Sequence, residues 1–167
     1  MSFHAFATGW LTGPGLQTRC ALGRNGTCAP DVKREGDGAS PIGVWPIRYV
    51  LYRPDRETRP DTALETVALA PDDGWCDALG DPAYNRPVKL PYPASAEALW
   101  REDHVYDLIV ILGFNDDPVA PGMGSAIFWH LAREDFTPTE GCVAVSRDAM
   151  LAALKAAQPG DTLAILG

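Results

Sequence analysis

The sequence lacks the motifs that mark the commonest nucleotide-binding and metalloprotease sites. It contains neither GxxxxGK[ST] nor HExxH. Its glycine pair Gly122-Met123-Gly124 precedes a predicted strand, whereas a dinucleotide site requires the pair to follow one. Only three histidines occur, and His4, His104 and His130 are scattered along the chain. The pattern therefore argues against phosphate-loop, dinucleotide and HExxH zinc chemistry.

Basic residues and long apolar runs are also scarce. The chain has 14 Lys and Arg against 22 Asp and Glu, a net charge of −8, which argues against nucleic acid as a partner. No apolar run approaches the roughly 20 residues that span a bilayer, so we expect no membrane span. The first residues lack a basic region and a long apolar segment, so we expect no secretory signal. On this basis the protein is cytosolic, or its export signal lies outside this chain.

The four cysteines form no CxxC pair, which gives a structural zinc site little support. Cys20 and Cys28 flank the turn sequence Gly23–Gly26. A two-residue turn would keep the two thiols apart, whereas a three-residue loop centred on Arg24 would place them within disulfide range. We expect small, half-buried free thiols here. One alternative zinc site, which no spacing requires, combines four scattered residues: His104, His130, Cys76 and Cys142.

Turn-forming residues are abundant, with 16 glycines and 15 prolines spread along 167 residues. This distribution favours many turns and short strands. The clearest strands are predicted over Val44–Tyr52, Asp107–Phe114 and Asp161–Leu166. Together with the chain length, the pattern predicts a single mainly β domain over residues 1–167, with eight to ten strands in a β-sandwich or barrel-like arrangement.

One or two short helices are expected beside the strands. Ser95 is a candidate N-cap for a helix over Ala96–Arg101, with Glu97 in its first turn. Ser146 is a candidate N-cap for a second helix, whose buried face would hold Met150, Leu151 and Leu154.

The stretch from Gly124 to Asp148 contains a thiol and an imidazole on either side of one loop. Ser125–Leu131 predicts a strand that ends near His130, and Cys142–Val145 predicts a second short strand. A free thiol has a pKa of about 8.5 and needs a base near neutral pH, which His130 can supply if the loop brings the two together. Gly141 allows a sharp turn that exposes backbone N–H groups to an oxyanion.

This stretch resembles the catalytic motif of the L,D-transpeptidase (YkuD-like) family of bacterial cell-wall enzymes. The family motif is a histidine, a spacer and Ser/Thr-His-Gly-Cys, followed by an apolar residue and Asn or Arg. The corresponding residues are His130 and Thr139-Glu140-Gly141-Cys142-Val143-Ala144. Upstream, Gly38–Trp45 resembles the family's Thr-Pro-x-Gly-x-Phe segment.

The resemblance implies a β-sandwich-like catalytic domain and a thioacyl mechanism without metal or organic cofactor. Cys142 would attack the diaminopimelate carbonyl of a donor stem peptide, and an acceptor amine would resolve the thioacyl-enzyme to a 3–3 or variant 1–3 cross-link. His130 would be the base, Thr139 would shape the loop, and N–H groups near Gly141 and Cys142 would hold the oxyanion. The resemblance further implies a role in cell-wall biogenesis and cell shape, a periplasmic or envelope location, and acylation by carbapenems. We expect a monomer.

Two residues depart from the family motif. Glu140 replaces the second histidine and is expected to orient His130 or contact substrate, and Ala144 replaces the Asn or Arg. The spacer is also short, so the chain is interpreted as a divergent branch. Trp129 alternates with His130 and is expected in the core. Further candidates for substrate binding, chosen because aromatic, polar and cationic groups suit a peptide bearing carboxylates, are Arg34, Trp75, Tyr84 and Ser125.

Three alternatives remain at this point. Water as acceptor gives an L,D-carboxypeptidase, and another cysteine amidase of wall peptides is a second alternative. Such amidases commonly place the cysteine before the histidine, the reverse of the order here. A non-enzymatic peptidoglycan-binding β-sandwich is the third.

Overall fold

Short strands dominate the structure, a computed structural model that describes residues 1–167. One α-helix, α1, spans Arg147–Ala156. The fourteen strands are β1 Ser2–Phe6, β2 Trp10–Gly13, β3 Leu16–Ala21, β4 Thr27–Cys28, β5 Ser40–Pro41, β6 Gly43–Tyr52, β7 Thr66–Ala68, β8 Asp73–Cys76, β9 Pro87–Lys89, β10 Ala96–Ala98, β11 Leu108–Leu112, β12 Phe128–Leu131, β13 Val143–Val145 and β14 Thr162–Leu166.

Nine strands form one sheet in the order β11-β12-β13-β3-β2-β1-β14-β6-β7. Strand β6 nearly closes this sheet into a barrel because it is long enough to pair with both β14 and β11, besides its pairing with β7. Its first residues, Gly43–Pro46, pair with β14, and its later residues, Ile47–Tyr52, pair with β11. The mainly β, barrel-like prediction is therefore confirmed.

Side-chain alternation on β12 and β13 separates two cores. Trp129, Val143 and Val145 point into the larger core, where the ring of Trp129 lies 5.1 Å from that of Phe3. Phe128, together with Cys142 just before β13, belongs to the smaller cluster on the other face. The prediction that Trp129 faces the core is thus confirmed.

The helix beginning after Ser146 is confirmed, and the one over Ala96–Arg101 is wrong. The Ser146 side chain accepts a hydrogen bond from the Ala149 N–H, and Met150 and Leu154 are buried. Ala96–Ala98 instead forms β10, which pairs with β8 in a three-stranded sheet. A six-residue helix has too few internal hydrogen bonds to compete with such pairing.

All four cysteines are free thiols. Cys20 pairs with Val145 in the main sheet, whereas Cys28 pairs with Pro41 in a separate two-stranded sheet. The two thiols are therefore held by different partners and do not form a disulfide. Separately, no helix is long and apolar enough to cross a membrane.

Candidate active site

Gly141 occupies a backbone conformation that requires glycine. Its φ of +140° is one that side chains rarely adopt, and a Cβ there would lie 2.9 Å from the Ala39 carbonyl oxygen. The Gly141 carbonyl accepts a hydrogen bond from the Ser40 hydroxyl at 2.8 Å. Ser40 is fully buried, and its Oγ also accepts from the Gly23 N–H at 2.9 Å. The turn before Cys142 is therefore anchored to two distant segments.

Thr139 closes the same turn from the other side. Its hydroxyl donates to the Cys142 carbonyl at 2.7 Å and accepts from the Gly141 N–H at 3.1 Å. The Gly141 N–H is thus engaged within the turn, contrary to the expectation that it would be open to an oxyanion. The Cys142 N–H has no hydrogen-bond partner in the chain. It is the donor that remains available beside the thiol.

The Cys142 thiol is buried and bonded to the backbone of a neighbouring segment. It donates to the Ala126 carbonyl at 3.1 Å and accepts from the Phe128 N–H at 3.3 Å. Burial raises the pKa of Cys142 to about 12, because the thiolate loses solvation that the Phe128 N–H replaces only in part. The thiol is therefore protonated at neutral pH in the free protein.

The sheet register places His130 on the same face as Cys142. Strands β12 and β13 are parallel, with Trp129 opposite Val143 and His130 opposite Ala144. Because side chains alternate, His130 and Cys142 share a face and are diagonal neighbours, with Cα atoms about 8 Å apart from the spacing of strands and residues. No hydrogen bond joins the two side chains in this state.

The imidazole of His130 is buried and neutral. Its Nδ1 lies 2.9 Å from the Leu131 carbonyl oxygen, which can only accept, so Nδ1 carries the proton and Nε2 remains basic. Burial lowers the pKa of His130 to about 4, although the bond to Leu131 opposes this shift. His130 is therefore uncharged near neutral pH, and the lone pair of its Nε2 is not occupied by a proton.

Tyr106 is a site residue that no motif in the sequence marks. Its ring lies edge-on to His130 with centroids 5.2 Å apart, and its hydroxyl donates to the Glu97 carboxylate. Burial, and then the proximity of Cys142, raise the pKa of Tyr106 well above its ordinary value. Tyr106 lies two residues before β11, and it reaches the site because that strand pairs with the one holding His130.

Cys142 and His130 line one cleft of about 460 Å³. Thr139, Glu140 and Ser125 line it as well, and the Ser125 hydroxyl donates to the Glu35 carboxylate. The charged residues of the cleft are three cations and four carboxylates: Lys33, Arg101, Arg133, Glu35, Asp77, Glu97 and Glu140.

Three of the expected substrate-binding residues do not line this cleft. Trp75 is buried behind Phe128, with ring centroids 5.0 Å apart. Tyr84 is also buried, and its hydroxyl accepts from the Gly124 N–H at 3.0 Å. Arg34 is exposed and bonds to neighbouring carbonyls, while the adjacent Lys33 faces the cleft. The aromatic or cationic character of a residue could not by itself indicate whether its side chain lines the cleft.

Glu140 pairs with Arg24 and not with His130. The guanidinium Nε lies 3.0 and 3.1 Å from the two carboxylate oxygens. Both side chains are exposed, at 46% for Arg24 and 78% for Glu140. The acid partner expected for His130 is replaced by the Leu131 carbonyl.

No group of three or more His, Cys, Asp and Glu side chains is arranged to hold a metal ion. His104, a member of the alternative zinc set, is largely exposed and bonds to Asp107 at 2.7 Å. The four residues of that set therefore do not converge.

A thiol and an imidazole that face one cleft suit acyl transfer through a covalent intermediate. The family model of the YkuD L,D-transpeptidase catalytic domain matches residues 10–165. This chain belongs to that family, which supports an L,D-transpeptidase-type enzyme that acts on peptidoglycan stem peptides and a family setting in the cell envelope. Neither a curated protein nor a solved structure matches the chain.

Proposed function

We propose that residues 1–167 act as one catalytic domain that cross-links peptidoglycan stem peptides through a thioacyl-enzyme on Cys142. The observation that carries this proposal is the shared face of β12 and β13. It presents the Cys142 thiol, its unpaired N–H and the basic Nε2 of His130 to one cleft.

The first half-reaction forms the thioester. The thiol gives its proton to Nε2 of His130, and the sulfur attacks the carbonyl at the L-centre of diaminopimelate. The Cys142 N–H stabilises the tetrahedral oxyanion. Imidazolium then returns the proton to the leaving amine of D-Ala as the carbon–nitrogen bond breaks.

The second half-reaction releases the product. An acceptor amine attacks the thioester, His130 removes one of its protons, and that proton returns to the departing Cys142 sulfur. A diaminopimelate amine gives a 3–3 linkage, and an L-Ala amine gives a 1–3 linkage. Water in the same role gives L,D-carboxypeptidase activity.

The thiol must change its hydrogen-bond partner before the first step. At neutral pH the thiol is protonated and bonded to Ala126, and His130 is uncharged. The thiol must rotate from the Ala126 carbonyl toward Nε2, so that thiolate and imidazolium form together and stabilise each other. Exclusion of water alone would disfavour both charged forms, so we infer that contact between the sulfur and the substrate carbonyl drives this rotation.

Intact-protein mass spectrometry after incubation with a carbapenem tests the nucleophile. The native protein should gain one adduct, and Cys142→Ala should gain none. Cys28→Ala, which removes a half-buried thiol outside the cleft, is the matched control and should keep the adduct. A folded, reduced native sample without adduct would contradict the proposal.

Incubation of the protein with purified stem peptides, followed by analysis of the products, tests the reaction. A new cross-link establishes transpeptidation and its linkage type, and release of D-Ala alone establishes the carboxypeptidase alternative. Binding of wall peptides without acylation of Cys142 would favour the non-enzymatic alternative. His130→Gln should slow acylation by about 10²- to 10⁴-fold, whereas exposed His104→Gln should not.

A further inference from the structure

Two arginines on the cleft wall share one carboxylate. Arg101 holds Asp103 through Nε at 2.8 Å and Nη2 at 2.6 Å. The nearest nitrogen of Arg133, Nη2, lies 3.6 Å from Asp103, which exceeds hydrogen-bond distance. Asp103 thus faces two guanidinium groups but binds only Arg101, in a cleft that as a whole has four carboxylates and three cations.

Arg101 is held in place, whereas Arg133 is not. The guanidinium of Arg101 lies over the Tyr106 ring at 5.3 Å, and the Arg101 carbonyl accepts from Arg53 at 2.6 Å. The Arg133 side chain makes no hydrogen bond in the chain and is half exposed. Elsewhere, Arg48 and Arg147 each hold a carboxylate through two N–H groups. The donors of Arg133 are therefore available in a protein whose net charge is −8.

The location of Arg133 favours a substrate group over another part of the protein. It lies three residues after His130, on the loop that joins β12 to the turn before Cys142, and it lines the cleft. Position 144, where the family motif has Asn or Arg, is a buried alanine and supplies no polar group. A planar guanidinium with free donors binds a carboxylate through two parallel hydrogen bonds.

We propose that Arg133 is a specificity-determining residue that binds a free carboxylate of the stem peptide. The inference rests on the proposed function and names the chemistry recognised at that site. Stem peptides carry carboxylates on both the isoglutamate and the diaminopimelate residues, so the experiment includes both.

Acylation kinetics with synthetic stem peptides test this role. The substrates are the unmodified stem and two stems in which one carboxylate is converted to an amide. The proteins are the native chain, Arg133→Gln, Arg133→Lys and Arg59→Gln, the last being an exposed arginine outside the cleft with no ion pair. Thermal unfolding checks that each variant is folded.

Arg133→Gln should raise KM by about 10- to 100-fold with kcat changed far less, because a charge-assisted pair is lost in substrate and transition state alike. Arg133→Lys should restore part of the loss. Amidation of the recognised carboxylate should raise the KM of the native protein by a similar factor. The same amidation should change the KM of Arg133→Gln very little, since the pair is already broken in that variant. Arg59→Gln should behave as native.

The experiment distinguishes a wrong role for Arg133 from a wrong proposed function. Turnover with unchanged KM in Arg133→Gln, or equal amidation penalties in native and variant proteins for both carboxylates, would overturn the role of Arg133 alone. Absence of acylation of the native protein by every stem would overturn the proposed function and this inference with it.

Discussion

The floor and the rim of the cleft hold their polar groups in different ways. The cleft floor consists of Cys142, His130 and Tyr106, which are buried and bonded to backbone or, for Tyr106, to the half-buried Glu97. The cleft rim consists of Arg24, Glu140 and Arg133, whose side chains are charged and 46 to 78% exposed.

This difference sets the size of each interaction. On the floor, desolvation shifts the pKa of the thiol and the imidazole by large amounts, and a lost hydrogen bond leaves a buried group unpaired. On the rim, water and salt screen the charges, so ion pairs contribute little to stability. Substitutions should therefore have effects that decrease from floor to rim.

Gly141→Ala should have the largest effect. Positive φ costs about 1 to 3 kcal/mol and the contact with the Ala39 carbonyl adds a similar amount, giving a loss of about 4 kcal/mol in urea unfolding. Gly160→Ala is the control, because Gly160 has a φ of +93° with open space around it. Equal losses in the two variants would refute the steric part of this argument.

Acid should destabilise the protein through His130. Its pKa is about 4 in the folded protein against 6.5 when unperturbed, so the unfolded chain binds a proton that the folded chain refuses. The free energy of unfolding should therefore fall as the pH decreases from about 6.5 to about 4, by on the order of 3 kcal/mol from this residue. Urea unfolding at both pH values should show a smaller decrease for His130→Gln. An identical decrease in both proteins would show that His130 is not the cause.

Ser40→Ala tests the hydrogen bonds that anchor the turn before Cys142. The Gly23 N–H and the Gly141 carbonyl would lose their shared partner, at a cost of about 2 kcal/mol. We also expect carbapenem acylation to slow by about 10-fold, because the turn that positions the Cys142 N–H is released. Ser40→Thr retains the hydroxyl and should recover much of the rate. Full acylation of Ser40→Ala would show that Thr139 alone holds the turn.

Glu140→Gln should have the smallest effect, although Glu140 departs from the family motif. Its exposed pair with Arg24 should contribute no more than about 0.5 kcal/mol in thermal unfolding, and acylation should stay within about twofold. The difference in stability between the native protein and Glu140→Gln should become smaller still when thermal unfolding is repeated at high salt. A tenfold loss of acylation would show that the rim acts on the thiol and would break the distinction between floor and rim.

Strands with continuous apolar runs were predictable from the sequence. The strand expected over Val44–Tyr52 is β6 at Gly43–Tyr52, and that over Asp107–Phe114 is β11 at Leu108–Leu112. Both have an unambiguous local pattern. The two- and three-residue strands β4, β7 and β10 were not separately predicted, because they exist only through partners distant in the chain.

The candidate site likewise contains some residues that the sequence marks and others that only the structure brings to the cleft. A glycine before the cysteine and a histidine twelve residues earlier mark the loop in the sequence itself. Tyr106 and Arg133 could not be recognised as cleft residues, because neither has a motif and each reaches the cleft through strand pairing or loop path. Glu140 was visible as a departure, but its partner Arg24 lies 116 positions away.

The sequence by itself determined which neighbours in one strand point to opposite faces: period-two alternation separates Trp129 from His130 and Cys142 from Val143. The parallel register of β12 and β13, which puts His130 and Cys142 on one face, belongs to the tertiary structure. Only the tertiary structure decided what each reactive group touches. The thiol meets the Ala126 carbonyl, the imidazole meets the Leu131 carbonyl, and Gly141 is held by Ser40. Hydrogen-bond partners and desolvation depend on distances between segments far apart in sequence, which no local pattern contains.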